Sequence, residues 1–563
     1  MQRSRTMGKS AVTEPSAAPV TGGLGRASLI LASGTIVSRI LGFVKVVVLA
    51  AAIGQVASVS ADSFAIANQL PNNIYALVAG GVLSAVLVPQ IVRAGLHDDG
   101  GERFINRIVT LGMVIFAVVA LAATLLAPAL VALYAQPSST GRGFTPDAIA
   151  LATTFAYWCL PQIFFYALYS LLSEVLNARN IFGPFTWAPV LNNVVAIAGL
   201  VIFMVLFGDA SHNDTLANWG PDRIILLAGT ATLGVAAQAL VLFLFWKRAG
   251  LRYRPDFRWR GVGLAATGKA AGWLFAMILV TQIAGVFQSR VASIATGDAA
   301  SNSALANAWL LFMLPHGVIA VSIATAYFTR MSGHATRNDL VSLRSDLSAS
   351  LRSIGLGMVF AAVTLAVVAY PFARVFESDF SKIPAMGNVL LAFVPGLVLF
   401  SMLFVLQRVF FALGDTRTPF FMQCVQSGIF IVGALLCTLL PSDWIAVGIA
   451  AVTSIAGSAQ TVVAIILVRR RIGGMDGRLV LRRHLQYLVF ALVAGAIGFL
   501  VLLLLGGLSA DGFAQSDRAA AILSIVVIGG VIGAVYLGLL AVFRNPELTS
   551  VTDILKARFS RRK

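Results

Sequence analysis

Charge is scarce in this 563-residue chain. Asp, Glu, Lys and Arg together supply 11% of it, hydrophobic residues supply 58%, and the mean hydropathy is +0.88. Soluble domains carry about 25% charged residues because their surfaces must face water, so a soluble protein is excluded. Cysteine is nearly absent. Cys159, Cys424 and Cys437 lie within apolar runs and share no C-x-x-C or metal-ligand spacing, which excludes a disulfide framework and reads as small buried side chains. Also missing are G-x-x-x-x-G-K-[ST], G-x-S-x-G and H-E-x-x-H. ATP hydrolysis and the common hydrolase chemistries are therefore not expected, and the chain does not read as an enzyme.

What the chain has instead is apolar length. Stretches able to cross a hydrocarbon core of about 30 Å, roughly 20 residues each, recur fourteen times. They begin near residues 28, 62, 107, 148, 185, 224, 270, 301, 347, 385, 418, 442, 484 and 520. The net charge of +18 is distributed unevenly among them. Of the 41 Lys and Arg, thirty-two fall in the amino-terminal segment and every second loop, five in the alternate loops (Arg142, Arg223, Arg374, Lys382, Arg518) and four inside spans (Arg39, Lys45, Arg290, Arg408). That bias places both termini in the cytoplasm and requires an even number of spans. The basic loops Lys247 to Arg260 and Arg469 to Arg483 then set topology and touch anionic lipid headgroups, and nucleic acid is not an expected partner.

The chain also matches itself. Gly-x-x-x-Ser-Arg occurs at residues 34–39 and again at 285–290, Leu70-Pro71 matches Leu314-Pro315, and the segment from Leu160-Pro161 through Ala178 matches that from Val394-Pro395 through Ala412. The offsets are 251, 244 and 234. Matches in helix order predict a duplication of six helices, and an even number keeps both halves parallel, related by an axis along the membrane normal. Small residues recur too, Gly34, Ser38 and Gly42 against Gly285, Ser289 and Ser293, spaced by four and so on one packing stripe. Pro71, Pro161, Pro315 and Pro395 are either hinge points or ordinary tolerated prolines.

The expected organisation is a disordered cytoplasmic tail at 1–27, an N-lobe at 28–246 (helices 1 to 6) and a cytoplasmic inter-lobe linker at 247–265. A C-lobe follows at 266–470 (helices 7 to 12), then a basic cytoplasmic loop at 471–483, helices 13 and 14 at 484–543, and a basic cytoplasmic tail at 544–563.

A charge at mid-bilayer costs roughly 2.5–3.5 kcal/mol on insertion scales, so charges retained there face a cavity or a partner. Arg39, Lys45 and Arg290 are the candidate anion-binding residues of a cationic cavity; their structural alternative is an ion pair such as Arg39 with Asp62. Asp62, Glu174 and Arg408 are candidates for gating or coupling. Glu174 and Arg408 hold equivalent places in the helix 4 and helix 10 match, and their proximity to the cytoplasmic surface is the plainer reading. Asp62 also suits a helix N-terminal anion. His316 is a titratable group whose ordinary role is a hydrogen-bonded core residue.

The stretch SRILGFVKVVVLAAAIG, followed by ADSFAIANQLPNNIYALVAGGVLSAVLVPQ, resembles the MurJ/MviN family of lipid II flippases, within the multidrug/oligosaccharidyl-lipid/polysaccharide exporter superfamily. The S-R-[IV]-L-G-F, A-D-x-F (Ala61 to Phe64), L-P-N (Leu70 to Asn72) and G-D-T-R-T-P (Gly414 to Pro419) motifs carry the resemblance. It implies an all-α polytopic membrane protein of fourteen transmembrane helices, with two parallel six-helix repeats forming a V-shaped two-lobe transporter. The two extra C-terminal helices, 13 and 14, are implied to form a lipid-tail groove. It implies alternating-access transfer of undecaprenyl-pyrophosphate disaccharide-pentapeptide to the outer leaflet of the bacterial cytoplasmic membrane, with cell-wall synthesis proteins as further partners. Arg39 matches a family cavity arginine, Asp62 an acidic position of helix 2, and Lys45 stands where arginine is usual. Val46, Tyr75 and Leu310 depart from the charged residues expected at their positions, so the detailed pyrophosphate clamp does not carry over.

No cofactor is expected. A membrane potential does work of about 2.3 kcal/mol per charge per 100 mV, enough to drive a doubly charged anion outward, with Na⁺ or H⁺ coupling left open. The competing readings are export of another lipid-linked glycan or a drug by the same fold, or a non-transporting cell-wall scaffold.

Overall fold

Fourteen long helices account for nearly all of the backbone that the computed structural model describes, residues 21–79, 101–138, 142–213, 215–258 and 268–549. Most of the amino-terminal tail (1–20), the linker from residue 259 and the basic tail from residue 550 lie outside the described residues. The helices are α1 (Thr21–Ile53), α2 (Val59–Ala79), α3 (Glu102–Leu125), α4 (Pro146–Ala178), α5 (Phe182–Phe207), α6 (Pro221–Phe245), α7 (Gly268–Ser293), α8 (Asn302–Thr336), α9 (Leu340–Val367), α10 (Phe380–Ala412), α11 (Arg417–Cys437), α12 (Ser442–Ile472), α13 (Gly477–Leu504) and α14 (Arg518–Val542). Among the described residues thirteen of them are long and apolar enough to cross a membrane. The exception is α2, which carries Asp62, Asn68, Gln69, Asn72 and Asn73. It tolerates them because it faces the space between lobes rather than lipid. The first helix starts at Thr21, inside the segment expected to be a disordered tail.

Local chemistry sets the helix ends. Thr145 caps α4, its Oγ1 accepting the Ala148 N–H at 3.2 Å, with Pro146 at the first position. Asp339 and Asp517 cap α9 and α14 through the N–H groups of Ser342 and Ala520. At the basic end, α4, α8, α10 and α12 are followed by Asn180, Asn338, Gly414 and Gly473, all with positive φ. These left-handed residues allow a turn of only a few residues.

The duplication is visible in the packing. The pairs α1–α5, α5–α6, α2–α4 and α3–α4 recur as α7–α11, α11–α12, α8–α10 and α9–α10. A short helix follows α3 (Ala127–Tyr134) and another follows α9 (Ala369–Phe376). Both α4 and α10 are interrupted beside Pro161 and Pro395. Buried apolar side chains form one core for α1–α6, one for α7–α12, and a third where α13 and α14 lie on α9. In that third core the Tyr536 hydroxyl donates to the Leu356 carbonyl at 2.9 Å and its ring stacks on Phe360. The small stripe of α1 packs on α5, where a methyl on Gly34 would lie 2.6 Å from Thr186 Cγ2. Side chains such as Leu439, Leu504 and Val205, about 80% exposed or more, cover the outside, where hydrocarbon replaces water as solvent.

The structure corrects one element of the repeat. Helix ends place α1 against α7 at an offset of 240 (Ile53 to Ser293), and helix starts place α2 against α8 at 243. The Leu-Pro match at 244 is in register; the Ser-Arg match at 251 is displaced by about three turns. Arg39 and Arg290 therefore sit at different depths.

Candidate functional site: the inter-lobe space and its closure

The two lobes meet at the end poor in Lys and Arg, where a group of hydrogen bonds joins them. The turn after α1 meets the turn before α8. Ala57, at a left-handed φ of 55°, donates its N–H to the Ala299 carbonyl at 3.1 Å, and the Ser303 hydroxyl donates to the Gln55 carbonyl at 2.7 Å. The Asn307 amide reaches the Gln55 side chain. The fully buried carboxylate of Asp62 accepts the Ser303 N–H at 2.9 Å. Ser303 lies in the first turn of α8, so one lobe supplies the anion that satisfies a free amide and the positive dipole end of a helix in the other. Glu377, 5% exposed, accepts the Val56 N–H at 2.8 Å, and Phe43 packs edge-on against Phe376. The Gln69 amide donates to Ser289 Oγ at 3.2 Å.

Arg290 belongs to this closure and not to a central cavity. It lies three residues before the end of α7 and donates from Nη1 to the Ala132 and Leu133 carbonyls (3.0 and 3.3 Å) and from Nη2 to Gln136 Oε1 at 2.7 Å. Those carbonyls are the unpaired acceptors at the C-terminus of the short helix Ala127–Tyr134, where a cation is favoured. Its placement follows from the register shift: the Ser-Arg motif of α7 comes near the helix end, that of α1 near the middle.

Arg39 is fourteen residues, or about 21 Å, from the end of α1. Its half-buried guanidinium crosses to α8 and lies against Gly317, where any β-carbon would collide with it. At that point α8 widens into a π turn, His316–Ala320. Beyond it Ser322, Thr325, Thr329 and Arg330 of α8 are exposed. A polar, exposed stretch of α8 thus runs from the Arg39 contact toward the basic end.

Lys45 lines an alcove of about 70 Å³ inside the N-lobe, with Asn68, Gln162, Tyr166 and Asn192 around it, and no ion pair to it occurs among the described residues. Asn68 is exposed and marks the side on which the alcove opens. Asp62 pairs with Ser303 rather than with Arg39. Glu174 and Arg408 form no ion pair with each other: Arg408 stacks on Phe404 and Phe328 within the C-lobe (4.8 and 5.1 Å), while Glu174 stays in the N-lobe near Tyr75. Tyr75 itself packs on Phe116 and Tyr166, an aromatic wall where a charge was expected. His316 is a core residue, its Nδ1 3.0 Å from Ser401 Oγ. Gln55, Ser303, Asn307 and Glu377 escaped the sequence reading because only the packed lobes bring them together; a carboxylate at a short-helix terminus was the one available signal for Glu377.

Two six-helix lobes joined at one end, with a cation held between them, have the architecture of a two-lobe membrane transporter of the exporter superfamily. The chain belongs to the lipid II flippase MurJ family, whose model matches residues 49–514. Relatives named "Probable lipid II flippase MurJ" occur in Haemophilus influenzae, 29% identical over 407 residues covering 68% of this chain and 75% of that protein. Another, from Rhizobium meliloti, is 27% identical over 480 residues covering 82% and 84%. Among solved structures, a lipid II flippase MurJ in an inward closed conformation superposes with a TM-score of 0.67 at 19% identity, covering 91% of this chain and all of that one. An inward-facing MATE multidrug transporter superposes at 0.59 and 16%, covering 80% and 99%. These likenesses show the fold alone.

Proposed function

We propose that this protein carries lipid II, an undecaprenyl-pyrophosphate disaccharide-pentapeptide, from the cytoplasmic to the outer leaflet by alternating access, in the inner membrane with both termini cytoplasmic. The observation that carries the reading, beside the family, is Arg39: a guanidinium held between the lobes against the bare backbone of Gly317, beside the exposed polar stretch of α8 that runs toward the basic end. A diphosphate headgroup entering there meets a positive charge in low dielectric, where charge-assisted hydrogen bonds are strongest. The lipid tail remains in hydrocarbon beside the lobes.

Outward movement then requires the closure at Asp62, Gln55, Ser303, Glu377 and Arg290 to part while the basic end shuts. These contacts are polar and few, so a modest differential binding energy can exchange the two states. In this reading the lobes are residues 28–246 and 266–470, and cell-wall synthesis proteins are the partners. The membrane potential drives the cycle: carrying two negative charges outward gains about 4.6 kcal/mol per 100 mV, negative inside. Na⁺ or H⁺ coupling is a further element of the proposal.

The test is depletion of the protein followed by an assay of lipid II sidedness. Accumulation in the inner leaflet, restored by the wild-type chain and not by Arg39→Gln, is the expected result. Unchanged sidedness with loss of a different lipid-linked glycan would overturn the substrate, and unchanged lipids with mislocalised synthases would overturn transport itself.

A further inference from the structure

One recess lies away from the contacts between the lobes. It has a volume of about 610 Å³ and lies between the basic end of α13 and the end of α14. Its polar side is formed by Arg482, Arg483 and Gln486, and its apolar side includes Leu485, Val489 and Phe543. The three apolar residues are all more than half exposed, so they face the surroundings of the helix rather than its core.

The charges are arranged unequally. Arg483 donates from Nη1 to Gln486 Oε1 at 2.9 Å, and its Nε lies 3.8 Å from Glu547. That acid is already held by Arg352 Nε at 2.8 Å. The buried Nε–H of Arg483 has no hydrogen-bond acceptor, and Arg482 has no ion pair among the described residues. Glu547 thus meets two arginines, Arg352 and Arg483, and not Arg482, leaving a net positive recess. Arg482 is five residues from the start of α13, about 7–8 Å along its axis, and Leu485 and Val489 follow it one and two turns further on.

We propose that this recess is a binding site for an anionic phospholipid of the cytoplasmic leaflet, its phosphate on Arg482 and Arg483 and an acyl chain along Leu485, Val489 and Phe543. Charge complementarity and the polar-over-apolar layering favour a lipid over a soluble phosphate, which would leave the apolar wall unused. The occupant would brace α13 and α14 on α9 through the Arg483–Glu547–Arg352 chain. It is a structural lipid, separate from the transported one.

The test uses the full-length protein, released from micelles into a native mass spectrometer and titrated with phosphatidylglycerol or phosphatidylcholine. The first phosphatidylglycerol is expected to bind at least tenfold more tightly than phosphatidylcholine. Arg482→Gln, which leaves the Glu547 contacts in place, is expected to weaken it about fivefold. Val489→Trp, which fills the groove and keeps every charge, is expected to weaken it as well. Equal affinity for the two lipids, or a first phosphatidylglycerol unaffected by both substitutions, would overturn the site. Displacement of phosphatidylglycerol by undecaprenyl phosphate would overturn the occupant, making the recess a seat for the transported lipid.

Discussion

Replacing Asp62 with alanine removes the one carboxylate that ties the lobes through a helix N-terminus. The Asp62–Ser303 hydrogen bond is 2.9 Å long and fully buried, so water cannot take the place of the lost acceptor without opening the joint. A hydrogen bond to a charged group contributes about 1.5–3 kcal/mol. The ratio of closed to open outer ends should therefore fall roughly 10- to 150-fold. Asp62→Asn keeps an oxygen acceptor and gives up only the charge, so its effect should be smaller, about 1 kcal/mol. Spin labels at Asp222 and Asp443, exposed at the first turns of α6 and α12 on opposite lobes, report the outer distance by double electron–electron resonance. The cysteine-free background replaces Cys159, Cys424 and Cys437. Longer, broader distances in the order alanine, asparagine, wild type are expected; identical distributions in all three would refute the assignment of Asp62 to the closure.

Arg39→Gln should lower delivery of lipid II to the outer leaflet by tenfold or more. Gly317→Ala should do the same through collision with the Arg39 guanidinium, and pairing it with Arg39→Lys should restore part of the activity in a sidedness assay. Arg290→Gln should lengthen the outer spin-label distance by less than Asp62→Ala, since about 1 kcal/mol of cation–helix-end interaction is lost, while photo-crosslinking of a lipid II analogue persists. Burial holds the Glu377 carboxyl above its ordinary range, against the pull of the Val56 N–H. A group whose pKa is raised in the closed state favours that state as pH falls and weakens it as pH rises through the raised value. The outer distance should therefore lengthen with rising pH, and Glu377→Gln should flatten that response.

Reading the fold from sequence worked where the signal was local. Helix starts expected near 148, 185, 301 or 418 fall within a few residues of those observed, because apolar runs and cap residues such as Thr145 are local features. The Leu-Pro match is in register with the helix starts, and the helix 4 to helix 10 match reflects an interruption beside Pro161 and Pro395 repeated in both halves. The Ser-Arg match is not in register, since a six-residue pattern in a low-diversity apolar helix can recur at another depth. That displacement is what moved Arg290 from the cavity to the closure. Likewise Glu174 and Arg408 are equivalent along the chain, yet the lobes turn them toward Tyr75 and toward Phe404.

By itself the sequence determined that this chain lives in a bilayer, that it is built of long apolar helices, which end carries the basic loops and that its two halves are copies. Those properties are sums over many residues and survive any error at one position. Only the tertiary structure decided which charges meet: Asp62 with an amide of α8, Arg290 with the carbonyl end of a short helix, Arg39 alone against Gly317. A few ångströms of depth or a 100° rotation along a helix separates a cavity ligand from a clasp, and neither is written in the order of the residues.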